Sequence, residues 1–219
     1  MTHDPQAGDP RTIGGFLASL SAQSPTPGGG SASALAIALG AALTGMVANL
    51  TVGKERYAES DTLARNVVMA ATGLRDELQA LMAADEAAYA AVRDAYARPR
   101  GAPDEQGMRA AAIHNALVAA MQPPQMMMSA GCAALRLALE MARHGNRSLA
   151  SDAACAAILI EAGIRSAAYN VLANVVLLHD SVEARTARQE ISVCEAEAAT
   201  LLRETIAAVR ASMGLEEAS

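Results

Sequence analysis

Apolar residues recur along this chain at intervals of three and four, the spacing of one buried helix face, and alternating runs of Val, Ile, Thr and aromatics are missing. The pattern predicts helices and essentially no sheet. A first helix is expected from Asp9-Pro10, with Asp9 as cap and Pro10 at the first helical position, running through Phe16, Leu17 and Leu20. The run from Ser24 to Gly30 breaks it. A second helix is predicted from about Ser31 to Val52, apolar all round, with Ala36, Gly40, Ala41 and Gly45 allowing close helix contacts. Beyond the polar stretch Gly53 to Tyr57, Ser60 is placed to cap a long third helix through Leu63, Val67, Leu74, Leu78 and Leu81 toward Tyr96. Arg98 to Pro103 stops it. A fourth helix is expected over Asp104 to Met121, with Pro123-Pro124 as punctuation, and a fifth to His144, where Gly145 suits a C-terminal cap. After a turn at Asn146 to Ser151, helical spacing resumes from Asp152 through Leu177, and a last amphipathic helix runs from Val182 to Met213.

Composition sharpens this into an architecture. The chain is 52% hydrophobic but only 2% aromatic, so its helices must pack through small and aliphatic side chains. The expected fold is a single all-α domain spanning residues 1–219, an antiparallel bundle of long helices around a central, buried, Ala/Gly-rich helix. Ser31 to Gly53 is uncharged and long enough to cross a bilayer, which needs about 20 apolar residues. Its Ala, Gly, Ser and Thr content, with Asn49 inside and no aromatic belt or basic flank, reads instead as a helix buried in protein. No membrane is therefore expected as a partner.

A net charge of −6 repels phosphate backbones, and stacking aromatics are nearly absent, which argues against nucleic acid. Cys132, Cys155 and Cys194 are odd in number, far apart and without ligand spacing, and the N-terminus shows no secretory pattern. Free thiols in a reducing cytoplasm are the expectation. His3, His114, His144 and His179 show no metal spacing, so no metal is proposed. Met126-Met127-Met128 reads as core packing or an adaptable binding surface.

Three features can carry chemistry. The turn Thr26-Pro27-Gly28-Gly29-Gly30-Ser31 feeds a helix, so its backbone can approach a ligand closely and offer unpaired N–H groups. Taken alone it is also a plain loop with Ser31 as cap, and no P-loop Lys-Ser/Thr follows. The second feature is a polar ridge on an apolar helix, where Asn170 falls about five turns after Asp152 and Asn174 one turn later. Such groups make either interhelix hydrogen bonds or ligand contacts. The third is Asp85 with Tyr89, an i, i+4 pair that reads as a solvated face or as an acid whose pKa an apolar patch can raise.

Taken together, Thr26 to Ser31, Leu50-Thr51-Val52-Gly53-Lys54-Glu55-Arg56-Tyr57, Asp85-Glu86-Ala87-Ala88-Tyr89, Gly145-Asn146, Ser151-Asp152-Ala153 and Ala168-Tyr169-Asn170-Val171 resemble the formiminotransferase-cyclodeaminase and methenyltetrahydrofolate cyclohydrolase family. The resemblance covers roughly residues 10 to 210, and several weak motifs in register are stronger than any one. It implies a helical homodimer in the cytoplasm that binds a reduced folate, polyglutamylated or not, as substrate and needs no separate cofactor. It also implies that Asp85, Asp152 and Lys54 are the catalytic candidates, with Pro27, Gly28, Gly29, Gly30, Ser31, Tyr89, Asn170 and Asn174 as substrate-binding candidates. Asp85 or Asp152 would activate water, Asn170 and Asn174 would orient the pterin edge, and Lys54 would meet the glutamate tail or an oxyanion. A chain of this length looks more like a stand-alone cyclohydrolase, converting 5,10-methenyltetrahydrofolate reversibly to 10-formyltetrahydrofolate, than like a domain of the fused cyclodeaminases. A cyclodeaminase that expels ammonia, a non-catalytic folate-binding module and a structural scaffold are the other readings.

Overall fold

The computed structural model describes residues 12–215. Among these there are six α-helices and no strand: α1 (Ile13–Leu20), α2 (Gly29–Asn49), α3 (Asp61–Tyr96), α4 (Pro103–His144), α5 (Ala150–Leu177) and α6 (Val182–Ser212). Short 3-10 helices, Glu55–Ser60 and Arg147–Leu149, stand before α3 and α5. The fold class is the expected all-α bundle. The expected start at Asp9-Pro10 lies outside the described residues; α1 is capped by Thr12, whose Oγ1 accepts the Gly15 N–H at 3.0 Å.

The structure departs from the sequence reading at the paired prolines and at the Ser60 cap. Pro123-Pro124 does not divide two helices, because α4 runs unbroken for 42 residues with both prolines inside it. Each proline removes a helical hydrogen bond at a local cost of about 3 kcal/mol. Both are buried, however, in a stretch that also buries Leu117, Ala120, Met121, Met127 and Met128, and tertiary packing outweighs local preference there. Met127 and Met128 are thus core residues, while Met126 faces outward. Ser60 flanks α3 without a capping hydrogen bond. Asp61 does the local work instead: its carboxylate accepts the Gly53 N–H at 2.7 Å and pairs with Arg65, whose hydrogen bond, followed by that of Gly53, holds its pKa below the usual range.

Successive long helices run antiparallel, and α4 touches α2, α3, α5 and α6, while α2 lies between α3 and α5. The approach of α2 to α5 is close enough to require glycine on both. A β-carbon on Gly40 would strike Ile160 and the Ala156 carbonyl, and one on Gly163 would strike Ile37 and the Ser33 carbonyl. Around this seam Ile37, Leu78, Leu117, Met127, Leu135, Ile160 and Ile164 are fully buried. Each such large side chain contributes roughly 1.5–3 kcal/mol of transfer free energy.

Two helical segments among the described residues, Gly29–Asn49 and Arg147–Leu177, are long and apolar enough to cross a membrane, and each is partly buried inside the bundle. The remainder of α2 and α5 presents apolar side chains outward, including Leu39 at 48%, Ile158 at 51% and Tyr169 at 71% exposure.

Candidate active site

The glycine turn opens α2 without a side-chain cap. Gly28, in extended conformation, is the cap residue, and the helix begins at Gly29, two residues before the expected start. Ser31 is therefore not the cap. It sits fully buried in the first helical turn and donates from Oγ to Glu86 Oε1 at 3.2 Å. With no cap side chain, the first N–H groups of α2 remain directed at the space before the helix, where the positive end of the helix dipole also points.

Two neighbouring helices deliver polar side chains to that opening. From α3, the carboxyl group of Asp85 lies against Gly30, where a β-carbon would collide with all three of its terminal atoms. From α5, Asn170 lies over Gly29, whose β-carbon would stand 3.2 Å from Asn170 Oδ1. The Asn170 amide is held by its own helix, donating from Nδ2 to the Ser166 carbonyl at 2.9 Å, and so leaves Oδ1 toward the glycines. Asn174 donates to the Asn170 carbonyl at 3.1 Å. Beneath them Ser33 Oγ donates to the Gly29 carbonyl at 2.6 Å and hydrogen-bonds Ser166 Oγ at 2.8 Å, fixing the head of α2 to α5. Tyr89, one turn beyond Asp85, stays 45% exposed at the edge.

Burial, and then the neighbouring negative charge of Glu86, push the Asp85 carboxyl above its ordinary pKa. An acid so placed can exchange a proton nearer neutrality than a free carboxylate, which suits general acid–base work.

Asp152 and Lys54 stand elsewhere. The contacts of Gly29 with Asn170, Ser33 with Ser166 and Gly40 with Ile160 show α2 and α5 running antiparallel. Asp152 precedes Asn170 by eighteen residues of one helix, hence by about 27 Å. Lys54 follows the C-terminal end of α2 and is exposed. The ridge of Asp152, Asn170 and Asn174 is accordingly divided within one chain: the asparagines meet the glycine turn and Asp85, and Asp152 lies at the opposite end of the bundle. There the Tyr57 hydroxyl accepts the Arg147 N–H at 3.0 Å, Thr51 Oγ1 accepts the Asn146 N–H at 2.9 Å, and Asn146 Nδ2 donates to the Leu50 carbonyl at 3.2 Å. These bonds fix the loops on which Lys54 and Asp152 are carried.

Sequence reasoning passed over Glu86, Ser33 and Ser166. Glu86 follows Asp85 directly and looks like part of a solvated helix face, and only the register of α3 against α2 reveals its bond to Ser31. Among the described residues no group of three or more His, Cys, Asp and Glu side chains is arranged to hold a metal.

The chain matches the formiminotransferase-cyclodeaminase family model over residues 12–193. It is 40% identical over 190 residues to the methenyltetrahydrofolate cyclohydrolase of Methylorubrum extorquens, covering 87% of this chain and 91% of that protein. It is 33% identical over 189 residues to the formimidoyltransferase-cyclodeaminase of Mus musculus, covering 86% of this chain but only 35% of that longer protein. The crystal structure of formiminotetrahydrofolate cyclodeaminase from Thermotoga maritima superimposes with a TM-score of 0.83 at 26% identity, covering 92% of this chain and 97% of that one. In sequence and in fold alike, this chain belongs to the formiminotransferase-cyclodeaminase family.

Proposed function

We propose that this protein is a methenyltetrahydrofolate cyclohydrolase, hydrolysing 5,10-methenyltetrahydrofolate reversibly to 10-formyltetrahydrofolate. One observation carries the chemistry: a carboxyl group of raised pKa, Asp85, is seated at the uncapped glycine head of α2 beside the amide of Asn170. The substrate carbon between N5 and N10 is an electron-poor amidinium. Asp85 accepts a proton from the attacking water and returns it to N5 as the carbon–N5 bond breaks, while the remaining hydroxyl proton passes to solvent. Asn170, supported by Asn174, and the N–H groups after Pro27 and Gly28, at Gly29, Gly30 and Ser31, orient the pterin edge, with Tyr89 closing one side. The folate is the only organic partner, and no separate cofactor or metal takes part. The cytoplasm is the setting.

Lys54 and Asp152 enter this reading through a second copy of the chain. A two-fold axis perpendicular to α2 lays the outer apolar faces of α2 and α5 against their copies with the helices antiparallel. The Asp152 and Lys54 end of one subunit then lies beside the Asp85 end of the other. Leu39, Ile158 and Tyr169, exposed on those faces, support such a homodimer. In it Asp152 assists proton transfer and Lys54 meets the glutamate tail of the folate.

The Thermotoga maritima likeness favours a second reading, in which the same site closes the ring of 5-formiminotetrahydrofolate and expels ammonia. Two assays on the purified protein separate them. Accelerated loss of the near-ultraviolet absorbance of 5,10-methenyltetrahydrofolate is the expected result. Ammonia release from 5-formiminotetrahydrofolate without that acceleration assigns the lyase reaction, and folate binding without either turnover leaves only a binding module.

A further inference from the structure

Away from the glycine turn, α4 and α6 run side by side and bring two of the three cysteines together across 62 residues of sequence. Cys132 Sγ and Cys194 Sγ are 2.8 Å apart, closer than two sulfurs rest in simple van der Waals contact. The pair lines an open groove of about 790 Å³, between Met128 and Cys132 on one helix and Ile191 and Cys194 on the other. Cys132 is buried, whereas Cys194 is half-buried and forms the approachable member. Arg136 and Glu197, themselves ion-paired, flank the sulfurs from the same two helices, and a second clasp, Gln125 Nε2 to Glu190 Oε2 at 2.7 Å, holds the helices one to two turns away.

We propose that Cys132 and Cys194 are a redox-active dithiol that closes reversibly to a disulfide between α4 and α6 when it meets a low-molecular-weight disulfide such as oxidised glutathione. The two thiols are unequal in the way this exchange requires. Hydrogen bonding between the two sulfurs, in which either can donate, and then burial keep the Cys132 proton on to higher pH, while the same bond lets the more accessible Cys194 lose its proton more readily, against the opposing burial and the negative charges of Glu197 and Glu195. The Cys194 thiolate attacks one sulfur of the oxidant, forming a mixed disulfide and expelling one glutathione thiolate. Cys132 then gives up its proton and attacks Cys194 Sγ, breaking the mixed disulfide and expelling the second glutathione. The two protein thiols lose two electrons and two protons, and one oxidised glutathione becomes two reduced molecules. No helix has to move far, because the sulfurs already touch. Cys155, exposed on α5, is outside the exchange.

The test uses the full chain, first fully reduced and then incubated with millimolar oxidised glutathione. The expected product yields a cross-linked peptide joining Cys132 to Cys194 that dithiothreitol releases, with any lasting glutathione adduct confined to the exposed Cys155. The link closes a loop of 62 residues, so the oxidised chain is expected to melt about 5–10 °C higher than the reduced one. In Cys132→Ser the second step is missing, and glutathione is expected to remain on Cys194. Three alkylatable thiols after oxidation, a glutathione adduct persisting on Cys194 of the unaltered chain, or linkage only between chains through Cys155 would each overturn the proposal. The measurement on the unaltered chain decides by itself if the serine variant does not fold.

Discussion

The carboxyl group of Asp85 fills the space that a side chain at Gly30 would occupy, so acid and helix head meet with no atom between them.

Gly30→Ala therefore tests geometry without altering a polar group. The methyl cannot be absorbed by a flexible chain end, because Asp85 has only one carbon between its backbone and its carboxyl group, so the carboxyl must swing away. Misplacement on the ångström scale near reacting atoms costs roughly a hundredfold in rate. The cyclohydrolase kcat is expected to drop by about 10- to 100-fold with helical circular dichroism retained. Gly14→Ala in α1, where no atom lies within 4 Å of the added carbon, serves as the control and keeps full rate. Equal rates for both variants would remove the packing argument.

Asp85→Asn keeps size and removes the proton carrier, and kcat should decrease by about two to four orders of magnitude. Stability is expected to move in the opposite direction. Because folding raises the Asp85 pKa, the native state binds more protons than the unfolded chain between the ordinary value of 3.8 and the raised one. The acid's contribution to stability thus declines as pH rises through that window and is fully unfavourable above it. The amide escapes this, so Asp85→Asn should melt higher than the unaltered protein at pH 7 and lose that advantage near pH 3. In the unaltered protein log kcat/KM should rise with pH through the raised pKa and then level off. A variant that melts lower at pH 7 contradicts the placement of Asp85 as a desolvated acid.

The sequence pattern made the helices legible because burial on one face leaves a periodic trace. It failed at Pro123-Pro124, where local chemistry says stop and the partners of α4, far off in sequence, say continue. The site was readable residue by residue but not as an assembly. Gly30, Asp85 and Asn170 sit on three different helices, and their meeting depends on the register of α3 and α5 against α2. That register is set by close contacts such as Gly40 with Ile160 and Gly163 with Ile37, and a glycine in a sequence does not say which neighbour it admits. Asp152 and Asn170 share a helix face, but the five turns between them already place Asp152 at the far end of α5, and only the packing of α5 on α2 shows which end meets the glycine turn.

Gly163→Ala tests that register directly. Its β-carbon would lie 2.9 Å from the Ser33 carbonyl oxygen and 3.1 Å from the Ile37 nitrogen, so backbone as well as the Ile37 side chain must retreat. Overpacking of this kind costs about 1–3 kcal/mol, which for a chain of this size lowers Tm by roughly 3–10 °C. Thermal unfolding followed by circular dichroism measures it, and an unchanged melting temperature would mean that α2 and α5 are less tightly apposed than described. Ser33 also ties Gly29 to Ser166, so the same retreat loosens the head of α2. Some loss of rate should accompany the loss of stability at temperatures where the variant is still folded.

The division of the polar residues between the two ends of the bundle leads to the sharpest test of the proposed dimer. If each working site combines Asp85 of one subunit with Asp152 of its partner, pure Asp85→Asn and pure Asp152→Asn proteins carry one defect in every site. Unfolding and refolding an equal mixture produces half heterodimers at random, and each heterodimer has one site with both defects and one with neither. Half of the dimers then have half of their sites intact, so about one quarter of unaltered activity should return. If both acids served a site within one subunit, mixing would restore nothing, because no subunit in the mixture carries both. If Asp152 took no part, the Asp152→Asn protein would be fully active before mixing. Turnover of 5,10-methenyltetrahydrofolate by the two variants, separately and together, distinguishes all three arrangements, and the 27 Å or so that separates Asp152 from Asn170 along α5 makes the shared site the expected outcome.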